Sequence, residues 1–141
     1  MTPDREELAV AERELCGLVN GLSQRIEGHV RVRAATLGLT APQATALREL
    51  TGPMSLRELA ERMSCEPSNA TFVADKLEKQ GLVTRQPHPT DRRAKRLVLT
   101  EKGTELRERL LTMLMEDSPL AGLSPDEQQT LHRLLLRTAG S

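Results

Sequence analysis

Aromatic residues are almost missing from this chain of 141 residues: it has no tryptophan, no tyrosine and a single phenylalanine, Phe72. Any core must therefore be built from Leu, Val, Ala and Met. Proteins that hold single-stranded nucleic acid stack its bases on aromatic side chains, so that mode is disfavoured and the composition points toward duplex DNA. Cysteine is scarce too. Cys16 and Cys65 cannot make a disulfide framework and read as reduced thiols. No run approaches the roughly 18 consecutive apolar residues of a membrane span, so no membrane partner is expected. The opening MTPDREELAVAERE lacks the basic-then-apolar order of a secretion signal, and the expected location is the cytoplasm. Net charge is the last absence, with 20 Lys and Arg against 20 Asp and Glu. A duplex-DNA binder needs a local positive surface and not a positive total, which makes the placement of charge the deciding question.

What is present is a string of amphipathic helices. Leu15, Leu18, Leu22, Ile26 and Val30 recur at steps of three and four over 5–36, with Leu8 opening the stripe. A helix of that length overhangs a small core, and a second copy of the chain is the natural cover for the rest of its apolar face. Thr40 to Gln43 and Ser55 to Glu58 both fit capping boxes, placing helices over about 41–50 and 56–62. Pro67 sits where a first helical turn tolerates it, opening a helix that runs to about Gln80 and stops at Gly81. The period then changes. Residues 82–85 and 96–99 are short strand-like runs, and the stretch between them, with two prolines and Asp91, reads as a turn or loop. Helices over 101–116 and 125–138 complete the chain, the second opened by Ser124, Pro125 and Glu127. The expected fold class is mainly α with a small β component (α+β). The expected division is an N-terminal helix at 1–38, a DNA-binding domain at 39–100 and C-terminal helices at 101–141.

Helices 56–62 and 67–80 lie at helix-turn-helix spacing, whose second helix enters the major groove. On that helix Ala70, Val73, Ala74 and Leu77 share the inward face, and Ser68, Asn69, Thr71, Phe72 and Lys76 the outward one. Asn pairs with adenine, hydroxyls donate or accept, and an apolar group can touch a thymine methyl. Phe72 reads either as such a contact or as packing against the hairpin or a neighbouring helix. The hairpin carries the charge asymmetry: Arg85, Arg92, Arg93, Lys95 and Arg96 against one acid, Asp91. Guanidinium groups on a narrow ribbon reach phosphates and enter minor grooves.

In this order the elements resemble the MarR family of bacterial regulators. The resemblance covers essentially the whole chain. It is sharpest at Asp91 to Arg93 followed by Leu97 to Thr100 and Glu101 to Gly103, which is similar to the family's wing. Gly38 to Thr40 with Pro42 and Gln43, Leu56 to Ala60, and Asp75 to Glu78 with Gly81 to Val83 fit the family too. The resemblance implies a winged helix-turn-helix with long N- and C-terminal dimerisation helices, and a homodimer on a pseudo-palindromic operator. It also implies Arg93 at a wing tip near a minor groove and Asp91 orienting an arginine without touching DNA. Many relatives release DNA when a small lipophilic or anionic effector enters a cleft, so a ligand-responsive repressor is expected.

The alternative is a peroxide-sensing regulator switched through Cys16, at a position comparable to the reactive cysteine of one branch of the family. The tyrosines that assist there correspond to Val30 and Ala41 here. Cys16 reads otherwise as a small buried residue on the helix stripe, and Cys65 as a turn residue. A third reading is an interaction module that no longer binds DNA. His29, His88 and His132 are scattered, with no ligand spacing for a metal, and His88 is expected as an exposed loop residue. No cofactor and no enzymatic activity are expected, because neither a phosphate loop nor a nucleophile motif is present.

Overall fold

Side-chain caps decide where the helices of this chain begin. In a computed structural model, which describes residues 2–139, the elements run α1 (Arg5–Thr36), α2 (Ala41–Glu49), α3 (Leu56–Met63), α4 (Pro67–Lys79), β1 (Val83–Pro87), β2 (Lys95–Leu99), α5 (Glu101–Met115) and α6 (Pro125–Thr138). At α2 the box closes both ways: Gln43 N–H donates to Thr40 Oγ1 at 3.3 Å, and Thr40 N–H to Gln43 Oε1 at 2.9 Å. The same reciprocal pair joins Ser124 and Glu127 ahead of α6. The expected box at α3 is only half formed. Ser55 Oγ accepts from Glu58 N–H at 3.1 Å, and no bond from the Glu58 side chain returns. α3 stops at Ser64, left-handed at φ 54°, which serine occupies at a cost that glycine avoids.

The chain divides into two compact units, Met1–Ile26 with Asp117–Ser141, and Glu27–Glu116. All the buried apolar side chains among the described residues fall in the second. Leu47, Leu59, Leu77 and Leu110 are fully buried there, with alanines at Ala44, Ala46, Ala70 and Ala74. Small residues let helices approach closely, which is how a core without aromatics reaches normal density. In the first unit α6 has no buried residue, and Leu8, Leu15 and Leu18 of α1 are 55, 62 and 72% exposed. Cys16 is exposed as well, not buried on the stripe.

Long basic side chains close the carbonyl ends of helices in the Glu27–Glu116 unit. Arg107 donates to the Leu47 and Arg48 carbonyls at 2.8 and 2.9 Å. Arg33 donates to those of Met113 and Glu116 at 2.8 and 2.7 Å, and His29 Nε2 to that of Leu114 at 2.7 Å. They place donors at the carbonyl ends of α2 and α5, the negative poles of those helices. Gln43, the one buried polar side chain among the described residues, is 4% exposed. It spends its oxygen on the α2 cap and its amide on Gln80 Oε1 at 2.9 Å, joining α2 to the end of α4.

β1 and β2 pair antiparallel from Val83↔Leu99 to Pro87↔Lys95, reaching further toward the tip than the sequence suggested, by two residues on β1 and one on β2. Pro87 can sit in the ladder because His88 N–H donates to the Ala94 carbonyl. Alternation from that pair puts Pro87 where a backbone N–H would point away from the partner strand. On its other side β2 meets Met54, whose backbone exchanges two hydrogen bonds with that of Leu97 at 2.7 and 3.2 Å. The hairpin base is locked to both flanking helices. Leu82 N–H donates to the Leu77 carbonyl at 2.9 Å and its own carbonyl accepts from Thr100 N–H at 3.0 Å. Thr100 Oγ1 donates to the Gly81 carbonyl at 2.6 Å and accepts from Gly103 N–H at 3.0 Å.

Gly103 is required by this approach and not by its dihedral angles. A Cβ there would lie 2.0 Å from the Leu82 carbonyl oxygen, and backbone cannot swing aside as a flexible side chain can. Gly103→Ala is expected to cost about 3 kcal/mol, the upper range for overpacking, read as a lowered denaturant midpoint. An unchanged midpoint would show that α5 and the hairpin are not held this closely.

Candidate nucleic-acid interface

The turn after α3 delivers α4 with one face sealed. Ala70, Ala74 and Leu77 are fully buried and Val73 is 6% exposed, the inward set that the sequence spacing indicates. Ser68, Asn69, Phe72 and Lys76 are exposed on the outer face. Thr71 differs from them. It is half-buried, and its hydroxyl donates back to the Pro67 carbonyl at 3.0 Å, which leaves that oxygen free only to accept. Phe72 packs against neither the hairpin nor a neighbouring helix closely enough to be covered: it is 61% exposed. Lys76, one turn on, places its Nζ 4.6 Å from the ring centroid, a cation–π distance.

The hairpin divides its five cations into two kinds. Arg92, Arg93 and Lys95 are exposed at and beside the tip, and none is in an ion pair among the described residues. Arg85 is a correction to the expected set. Its side chain is 27% exposed, donates to Asp75 and lies 3.8 Å from Glu78, both on α4. Its charge is engaged with two acids and is not free to meet phosphate. The sequence shows all three residues, but the partnership arises only when the strand folds back beside the helix. Arg96 is half-buried at the hairpin's mid-length, and its Nε has no hydrogen-bond partner.

Asp91 bonds to Arg93 through the main chain and not through the guanidinium. Its Oδ1 accepts from the backbone N–H of Arg93 at 3.0 Å, and its carbonyl from Ala94 N–H at 3.1 Å. Among the described residues it makes no ion pair with an arginine. An Asp side chain bonded two residues on is a turn-forming device, so Asp91 shapes the tip through the main chain. His88 is half-buried and not fully exposed, and its Nδ1 accepts from Thr90 N–H at 3.2 Å. The tip is thus tied by local hydrogen bonds while its cations stay unbonded.

A separate cleft of about 350 Å³ lies in the Glu27–Glu116 unit, lined by Glu27, Arg31, Ala41, Pro42, Thr45, Met63 and Cys65. Its walls are largely apolar, with one cation, Arg31, and one anion, Glu27. Among the described residues no group of three His, Cys, Asp or Glu could hold a metal ion, and no helix is long and apolar enough to cross a membrane.

Residues 39–95 match the model of the MarR family. The chain is 37% identical over 91 residues to the HTH-type transcriptional regulator YkoM of Bacillus subtilis, covering 63% of this chain and 58% of that protein. It is 34% identical over 87 residues to the HTH-type transcriptional repressor MdtR of the same organism, covering 60% of this chain and 56% of that one. The chain thus spans less than two thirds of either relative. Among solved structures it is similar to a cysteine-to-serine variant of MarR from E. coli complexed with operator DNA. The identity there is 25% and the TM-score 0.74, over 90% of this chain and 94% of that one. Residues 39–95, which hold the helix-turn-helix and most of the wing, thus carry the MarR family's pattern, and the fold is similar to that of a solved MarR protein.

Proposed function

We propose that this chain is a sequence-specific, duplex-DNA-binding transcriptional regulator, a homodimer that represses from a pseudo-palindromic operator until a small lipophilic or anionic molecule releases it. The observation that carries the reading is the pairing of two exposed surfaces in one unit. One is the polar outer face of α4 at Ser68, Asn69 and Lys76, and the other the unpaired cations Arg92, Arg93 and Lys95 of the wing. In this geometry α4 enters a major groove and the wing reaches the adjacent backbone and minor groove. The similar E. coli protein was solved in complex with operator DNA, which supports duplex DNA as the partner.

A second copy of the chain is called for by the leucines left uncovered on α1 and by Leu134, Leu135 and Leu136 of α6, which are 47, 43 and 62% exposed. A twofold pair presents two α4 helices to half-sites about one turn of DNA apart. The cleft beside Arg31 is within the size range of small-molecule sites; its largely apolar lining suits a small lipophilic body, with Arg31 and Glu27 offering opposite charges to a polar group. A redox switch is the second reading, favoured by the exposure of the Cys16 thiol. Mass spectrometry after mild organic peroxide separates the two: an inert thiol removes the switch, and a sulfenate accompanied by loss of DNA binding establishes it.

The DNA reading is tested by titration with duplexes selected from a random pool. With about six phosphate contacts per dimer, log affinity falls against log salt with a slope of about −5. A flat response overturns the interface. Arg93→Ala is expected to weaken binding by about ten-fold, and unchanged affinity takes Arg93 out of the interface. Arg85 is expected to act on the protein and not on the DNA. In a stability cycle Arg85→Gln and Asp75→Asn are non-additive by about 0.5 kcal/mol, small because the Asp75 carboxylate is 52% exposed. Additive losses would mean that the pair holds nothing.

A further inference from the structure

We propose that Phe72 reads the 5-methyl group of a thymine on the floor of the major groove, and is a specificity-determining residue of the operator contact. The inference rests on the DNA-binding reading above and adds the base chemistry that it leaves open.

The chain has one aromatic side chain and does not spend it on its core, which Leu, Val, Ala and Met fill. That ring stands instead on the outer face of α4, 61% exposed, in the second turn of the helix. Residues near the N-terminus of such a helix are the ones that meet base edges. Ser68 and Asn69 precede it by one turn on the same face and Lys76 follows by one turn. The Lys76 ammonium, 4.6 Å from the ring centroid, covers part of one ring face and leaves the rest of the ring open. The charge beside it favours the approach of a polyanion over that of another apolar protein surface.

A phenyl ring carries no hydrogen-bonding atom, which narrows what it can face. On the major-groove edge of the four base pairs the only apolar group is the C5-methyl of thymine. Over cytosine or guanine the ring would cover an amino group or the N7 and O6 acceptors and give nothing back. Asn69, one turn earlier, is suited to the N6 and N7 edge of adenine. The half-site expected from this face is therefore a thymine under Phe72 with an adenine within one or two base pairs. By the same chemistry 5-methylcytosine in place of that thymine is better accepted than cytosine.

The test replaces thymines by uracils one at a time in the best duplex selected from a random pool. This removes the methyl and keeps the pairing. The full-length wild type, Phe72→Ala and Phe72→Leu are titrated against each duplex, with circular dichroism to check that the exposed substitutions leave the fold intact. One uracil position per half-site is expected to weaken wild-type binding by roughly four-fold, the value of one buried methyl. Phe72→Ala should be weakened on the thymine duplex and indifferent to that uracil, with Phe72→Leu in between. The proposal is overturned if every uracil is neutral for the wild type, or if Phe72→Ala loses the same factor on thymine and uracil duplexes. Wild-type protein that binds no selected duplex overturns the DNA reading itself, and the thymine contact with it.

Discussion

The backbone of Leu82 is where three elements of this protein meet. Its N–H completes the end of α4 through the Leu77 carbonyl, and its carbonyl accepts from Thr100 at the far end of the hairpin. Gly103 of α5 stands so close that no side chain fits between them. Thr100 closes the arrangement by bonding both Gly81 and Gly103. Leu82, Val83 and Leu97 are buried, so the direction in which the hairpin leaves α4 is set by hydrogen bonds around a buried main-chain segment. Such bonds are costly to leave unmade. A two-stranded ribbon is marginal alone; here it borrows its rigidity from the helices at its base and from Met54 at its edge.

Charge follows from that geometry. A hairpin directed beside α4 brings Arg85 against Asp75 and Glu78. Those acids would otherwise repel phosphate on the helix expected in the groove. One cation offsets part of the charge of two anions, and Arg92, Arg93 and Lys95 remain exposed further along the ribbon. A chain of zero net charge thereby offers a positive edge without a positive total.

Much of this was legible in the sequence because the signals are local. Caps at Thr40 and Ser124, Pro67 in a first turn and Gly81 after α4 carry their own chemistry wherever they fall, and the helices begin where those residues indicate. The four inward positions of α4 were legible for the same reason, since helical spacing alone assigns them. What was not legible depends on partners distant in the chain. Arg85 looks like any other cation until β1 lies beside α4. Gln43 looks like a cap residue until its amide finds Gln80. Pro87 argues against a strand until the ladder places its missing N–H on the outside. The bonds of Asp91 and Thr71 were not legible either, for a subtler reason: each has a main-chain partner within four residues, and residue type alone does not choose between that bond and an outward one.

The central claim is that wing and α4, fixed at a common base, meet DNA as one surface. Hydrogen–deuterium exchange of the full chain, with and without a selected duplex, tests it most directly. The account predicts that amides over 68–76 and 88–96 slow together when the duplex is added, with the Leu82–Gly103 junction protected in both states. Protection of only one of the two segments, or a junction that exchanges freely without DNA, would contradict it.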